Sequence, residues 1–145
     1  MTRGKFVVIS YNGVFSTFEF NGDMYYEGGH GPEVIERLGR VKDKTDLNKE
    51  VREFNENNHG YKLDAGDTFF EAQNPIDFSK DYFENWFSDY LYIKNLAHTE
   101  KIIKDRDGTE YTILPNQIVV YDFGRLYGIV ADDGKTLNLV GNDED

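Results

Sequence analysis

Thr2 is the first residue whose type and place could do chemistry. Removal of Met1 ahead of a small residue leaves a free α-amino group beside a hydroxyl, the pairing that N-terminal nucleophile hydrolases use with the amine as base. A small second residue is also common in proteins that do no chemistry there, and neither an oxyanion donor nor a second base can be picked out to complete the site. A second locus is Gly28-Gly29-His30-Gly31 before Pro32. Backbone N–H groups in such a loop can face a small anion at a helix N-terminus, with His30, Arg3, Arg37 or Arg40 supplying positive charge. The loop has neither the P-loop spacing nor the dinucleotide-binding spacing, and Glu27 and Glu33 flank it with the wrong charge. The ordinary role of these glycines is a turn.

No metal and no cofactor is expected. His30, His59 and His98 are far apart and form no His-x-x-x-His pair. Without cysteine there is no thiolate ligand, no disulfide framework and no cysteine nucleophile. Asp64/Asp67 and Asp132/Asp133 fall in turns where carboxylates cap backbone, and neither matches the calcium-loop pattern.

Charge carries more information. The 145-residue chain has a formal net charge of -11. Such a surface repels phosphate backbones and disfavours nucleic acid as a direct ligand. Asp64, Asp67, Glu71, Asp77, Asp81, Glu84 and Asp89 stand against the single Lys80, so this segment supplies -6 of the total. Asp77, Asp81 and Glu84 recur at i, i+4 and i+7, one face of the helix expected there. Like charges at that spacing cost a few tenths of a kcal/mol per pair. A solvated helix face is the plain explanation; a carboxylate row can also imitate the phosphates of nucleic acid to a basic groove.

These residues have to be positioned by a core, and the chain is long enough to build one. Aromatics form 15% of it, with 11 Phe and 10 Tyr, which argues against disorder despite 30% charged residues. Lys5 to Tyr11 and Val14 to Phe20 read as strands around Asn12-Gly13, a hairpin signal. Asn21-Gly22 ends the second strand. From Asn21 to Gly39 the chain runs through a turn, the Tyr25-Tyr26 pair and the glycine loop into a short helix that starts at Pro32 and stops at Gly39, with Val34, Ile35 and Leu38 on its apolar face. Asp43 to Asn58 reads as a second helix with Leu47, Val51 and Phe54 as a narrow stripe, capped by Thr45 or Asp46. Tyr61 to Gln73 reads as a turn followed by a short extended piece. Ile76 to Ser88 has Phe78, Tyr82, Phe83, Trp86 and Phe87 at helical spacing, a core-facing pattern. Asp89 to Ile93, His98 to Lys104, Glu110 to Leu114, Ile118 to Tyr121, Leu126 to Val130 and Thr136 to Val140 read as strands of an antiparallel meander, with Asp107-Gly108 and Asp133-Gly134 as hairpin turns. Residues 141–145 read as a frayed acidic tail.

Thr2-Arg3-Gly4, Asn12-Gly13 and the run Asp23-Met24-Tyr25-Tyr26-Glu27-Gly28 leading through His30-Gly31 into a helix resemble a family of uncharacterised phage and prophage proteins. In that family a Thr-Arg-Gly start precedes a strand hairpin and a His-x-Asp-x-Tyr-Pro-x-Gly segment opens the first helix. Asp89-Tyr90-Leu91-Tyr92-Ile93 is similar to its aromatic strand. Here Asn21 stands in place of the His, Tyr26 in place of the Pro, and the loop is one glycine longer. The resemblance implies a phage or mobile-element accessory protein working in a bacterial cytoplasm, and implies no activity.

The expectation is a single α+β domain, residues 1–145: an antiparallel sheet of N-terminal hairpin and C-terminal meander, with two or three helices on one side. No apolar run approaches the ~20 residues of a membrane span, and no apolar leader opens the chain, which points to the cytoplasm. The leading functional expectation is a non-enzymatic protein binder. Its acidic residues Asp64, Asp67, Glu71, Asp77, Asp81, Glu84 and Asp89 would engage a basic surface, that of a host nucleic-acid-binding defence or regulatory protein, and inhibit it. The alternative is a small hydrolase using Thr2, or a binder of a small anionic ligand at Gly28, Gly29, His30 and Gly31.

Overall fold

The computed structural model describes residues 3–10, 14–21, 23–57, 68–71, 76–77 and 90–140, with backbone alone for residues 3, 14–21, 68–71 and 76–77. Strands β1 (Arg3–Ile9) and β2 (Val14–Asn21) pair antiparallel from Arg3 opposite Asn21 to Ile9 opposite Phe15, the expected hairpin. The Asn12-Gly13 turn itself lies outside the described residues. Helices α1 (Gly31–Arg40) and α2 (Lys44–Asn57) follow, then the short strands β3 (Thr68–Glu71) and β4 (Ile76–Asp77). Strands β5 (Tyr90–Asn95), β6 (Lys101–Lys104), β7 (Glu110–Ile113), β8 (Ile118–Asp122), β9 (Arg125–Val130) and β10 (Leu137–Leu139) complete the fold.

Seven strands form one sheet in the order β10-β9-β8-β5-β1-β2-β3. Every neighbour is antiparallel except β1 and β5, which run parallel from Gly4 opposite Tyr90 to Ile9 opposite Asn95. The α+β class is as expected, and both helices lie on one face. Their Val34, Ile35, Leu38, Leu47, Val51 and Phe54 pack on Phe6, Val8, Tyr92 and Val120. The opposite face, with Val7, Ile9, Leu91, Ile93 and Val119, is covered by Ile103 and Ile113 of the β6-β7 hairpin. Strand β5 is therefore buried along its whole length, the condition under which a strand reads as a continuous apolar run rather than an alternating one.

Four expectations are corrected. The meander is interrupted: β6 and β7 leave the main sheet and join β4 in a second one, ordered β4-β6-β7. Ile76-Asp77, expected to open a helix, forms β4 and pairs parallel with Ile103-Lys104. Sheet pairing overrides the helical spacing there, so Asp77 starts on a strand and not on a helical face; residues 78–89 lie outside the described residues. Helix α1 continues through Gly39 to Arg40 and ends at Val41, an extended C-cap. Its C-terminus is closed by a side chain from the sheet instead of by a left-handed glycine. Finally, Asp43 and not Thr45 or Asp46 caps α2. Its Oδ1 accepts the Asp46 N–H at 2.8 Å, while Asp46 Oδ2 accepts the Lys42 N–H at 3.0 Å, a reciprocal arrangement that satisfies two donors at once.

Candidate functional site

Residues 23–31 are fastened at both ends. Asp23 has a left-handed φ of 53°, which turns the chain so that its carbonyl accepts the His30 N–H at 2.7 Å. The Tyr25 carbonyl accepts the Gly31 N–H at 2.8 Å. Beneath the loop, buried Tyr92 donates its hydroxyl to the Met24 carbonyl at 2.7 Å, and Met24 packs onto Gly4 so closely that a Cβ there would lie 2.6 Å from the Met24 Cβ. At Gly31 a Cβ would lie 2.4 Å from the Tyr26 Cα and 2.5 Å from the Tyr92 hydroxyl oxygen. Glycine is required at that position by close approach.

The geometry bears directly on the Gly28, Gly29, His30 and Gly31 locus. Two of its N–H groups, those of His30 and Gly31, already donate within the loop. The His30 ring meets Phe54 edge-on at 5.4 Å. Of the cations that would compensate an anion, Arg37 bonds Glu33 at 2.9 Å, Glu50 at 3.0 Å and Glu53 at 3.3 Å, and Arg40 bonds Glu50 through two nitrogens at 3.1 and 3.0 Å. Buried Glu50 thus clamps α1 to α2, its carboxyl held below the usual range first by the Arg40 hydrogen bond and then by Arg37. A charged residue inside the α2 stripe gave no sign of this role, because its partners come from a different helix.

The acidic residues are only partly placed. Glu71 ends β3, opposite Val14 at one margin of the main sheet, and Asp77 lies opposite Lys104 at a margin of the smaller one. Asp64, Asp67, Asp81, Glu84, Asp89 and Thr2 lie outside the described residues. Among the described residues no three His, Asp or Glu side chains gather as a metal site, and no helix is long and apolar enough to cross a membrane.

A cavity of about 680 Å³ opens at the C-terminal end of α1, lined by Lys42, Lys94, Asn116, Gln117 and Asp132 among others. Lys94, buried in the middle of β5, donates to the carbonyls of Val41 at 2.8 Å, Leu38 at 3.0 Å and Gly39 at 3.3 Å. All three of its donors are engaged, so it serves as the cap of α1. Gln117 is likewise committed, accepting the Leu114 N–H and the Tyr111 hydroxyl. Sequence reasoning passed over Lys94; its signal was a lone lysine directly after the apolar run Tyr90 to Ile93.

A second concentration of chemistry sits where the residue 23–31 loop meets the opposite end of the sheet. The Tyr90 ring lies nearly parallel to Tyr92, 6.0 Å away, and is met at 72° by Tyr25 and at 76° by Tyr127, with centroids 6.1 and 5.9 Å away. Tyr26 leans on Tyr127 at 6.4 Å. Asp122 pairs with Tyr90 across β8 and β5, and Glu27 follows Tyr26 in the loop. Burial, and then the negative fields of Asp122 and Glu27, push the Tyr90 hydroxyl up to about 12. Tyr127 moves the same way for the same reasons.

Comparison with protein families, curated proteins and solved structures finds no match to this chain.

Proposed function

We propose that this protein acts by binding a basic protein surface, of the kind that ordinarily holds nucleic acid, through the segment from Asp64 to Asp89. The phage or mobile-element setting implied by the N-terminal resemblance makes a host defence or regulatory protein the partner. The observation that carries the reading is where the charge lies. The segment supplies -6 and residues 141–145 another -3, nine of the eleven net negative charges, so the remainder of the chain carries only -2. Two short strands of this segment, β3 and β4, attach at margins of the two sheets. Carboxylates concentrated in one stretch of sequence are suited to a basic groove.

The test uses Asp64, Asp67, Asp81 and Glu84 changed together to Lys, leaving Glu71 and Asp77 in their strands. Immobilised wild-type protein is expected to retain nucleic-acid-binding proteins from a bacterial lysate and to release them when duplex DNA is added. The variant, with an unchanged circular dichroism spectrum, should retain none. Equal retention by both proteins, or retention that duplex DNA does not displace, overturns the charge mechanism.

A further inference from the structure

The cavity at the C-terminal end of α1 has a volume of about 680 Å³, a size at which small-molecule sites are commonly built, and the acidic-segment contact leaves it unused. Two turns form its rims. One runs from Leu114 to Gln117 between β7 and β8, and the other starts at Ala131 between β9 and β10. Both are fastened from behind. The Asn116 N–H reaches the Asn95 carbonyl at 2.6 Å, and the buried Asn95 side chain donates in turn to the Ile113 carbonyl at 3.1 Å and the Thr99 carbonyl at 3.2 Å. On the second rim the Asp133 carboxylate accepts the Lys135 and Thr136 N–H groups at 2.9 and 2.8 Å. Walls held in this way are formed before a ligand arrives, which spares the cost of ordering them on binding.

Three polar side chains of the lining keep hydrogen-bonding capacity. Among the described residues the Asn116 carboxamide and the Asp132 carboxylate have no hydrogen bond or ion pair, and Gln117 spends only its carbonyl oxygen, leaving its amide N–H groups. Asn116 has a φ of 67°, a backbone that glycine adopts at no steric cost, so the turn itself does not call for a carboxamide there. Ile118, Val130 and half-exposed Leu114 add apolar surface. Lys94 gives its donors to α1 and Lys42 is engaged in an interaction of its own, so both lend the cavity their charge and neither is spare for a ligand. A cation would meet these two lysines, and an anion would meet Asp132 in a chain of net charge -11. A zwitterion would find no spare cation for its carboxylate. A wholly apolar ligand would strip water from the carboxamides and the carboxylate and replace none of it. A neutral polyol meets every feature: its hydroxyls donate to Asp132, donate to and accept from Asn116, and accept from Gln117, while its C–H face lies on the apolar side chains. We propose that this cavity binds a neutral saccharide through Asn116, Gln117 and Asp132. The site is independent of the acidic-segment reading.

The full chain labelled with ¹⁵N is titrated by NMR with D-glucose, D-galactose, D-mannose, maltose and lactose. At least one of these is expected to shift the amides of Asn116, Gln117, Ile118 and Asp132 saturably. D-glucuronate and D-glucosamine, the same ring with one charge added, and the zwitterion L-leucine should each bind more weakly than the best neutral sugar. Asn116→Gly suits the left-handed backbone, and Asp132→Asn keeps the shape of an exposed side chain, so both variants should fold as the parent does. Each should weaken binding of that sugar by about tenfold, the size of one or two polar contacts. Absence of a saturable shift at these amides with all five sugars, tighter binding of glucuronate, glucosamine or leucine, or undiminished binding in either variant overturns the assignment.

Discussion

The Lys94 ammonium lies 2.8 Å from the Val41 carbonyl, and this contact ties the central strand of the sheet to the end of α1. With the bonds to Leu38 and Gly39, one side chain serves three carbonyls at the helix end, of which that of Leu38 also accepts the Val41 N–H at 3.1 Å. A positive charge at that end also complements the helix dipole. Lys94→Met keeps the aliphatic stem and removes all three donors. Stability in a denaturant titration is expected to fall by about 2–4 kcal/mol, and hydrogen exchange should accelerate most in the last turn of α1.

Glu50 makes the stability of the helix pair depend on pH. Its folded carboxyl titrates below the ordinary value of 4.5 because the guanidinium groups of Arg40 and Arg37 favour the ionised form. The ionised form is thus the one that folding prefers: its contribution is complete above the unfolded value and disappears as pH falls through the folded one. Glu50→Gln should cost about 2 kcal/mol at pH 7, leaving the buried Arg37 with Glu33 and Glu53 only. The difference between wild type and variant should shrink steadily as pH is lowered below the ordinary value of 4.5 in parallel melts.

Two glycines of one loop should respond differently to alanine. Gly31→Ala drives a Cβ into the Tyr26 backbone and the Tyr92 hydroxyl, and is expected to destabilise by about 3 kcal/mol. Gly28 has open space around it but a φ of 76°, so Gly28→Ala should cost only about 1 kcal/mol, the left-handed backbone penalty. Thermal denaturation of the two variants side by side reads the ordering.

Tyr92→Phe removes a buried hydrogen bond that fixes the Met24 carbonyl to the sheet. The ring and its packing remain, so a loss of about 1–2 kcal/mol is expected. Because the same loop carries Tyr25, Tyr26 and Glu27, amide exchange at residues 23–29 should rise in this variant while that of α2 does not.

Local order was legible wherever near neighbours in the sequence decide the outcome. The first hairpin, the apolar faces of α1 and α2, and the Asp-Gly turns all came from periodicity and turn chemistry. Gly108 and Gly134 adopt φ of 83° and 75° where Asp105 and Asp133 carboxylates accept backbone N–H groups of the turns. The functional loci fared differently. Gly28 to Gly31 reads in isolation as a possible anion loop, and in the fold its spacing serves close packing over Tyr92. The tyrosines were scattered through the chain as ordinary strand and loop residues.

What the amino-acid sequence determined by itself is the α+β class, the strand and helix segments that short-range patterns encode, and the concentration of negative charge in two segments. Only the tertiary structure decided that β1 and β5 lie side by side in parallel, that β6 and β7 leave the meander to cover the far face, and that Lys94 rather than glycine closes α1. It likewise brought Tyr25, Tyr90, Tyr127, Glu27 and Asp122 to one corner. The reason is common to all of these: each depends on residues far apart in the chain, Lys94 on Val41 and Tyr90 on Tyr25 and Tyr127. Local pattern is blind to such pairings, because burial and hydrogen bonding between distant segments outweigh the few tenths of a kcal/mol by which neighbouring residues express a preference.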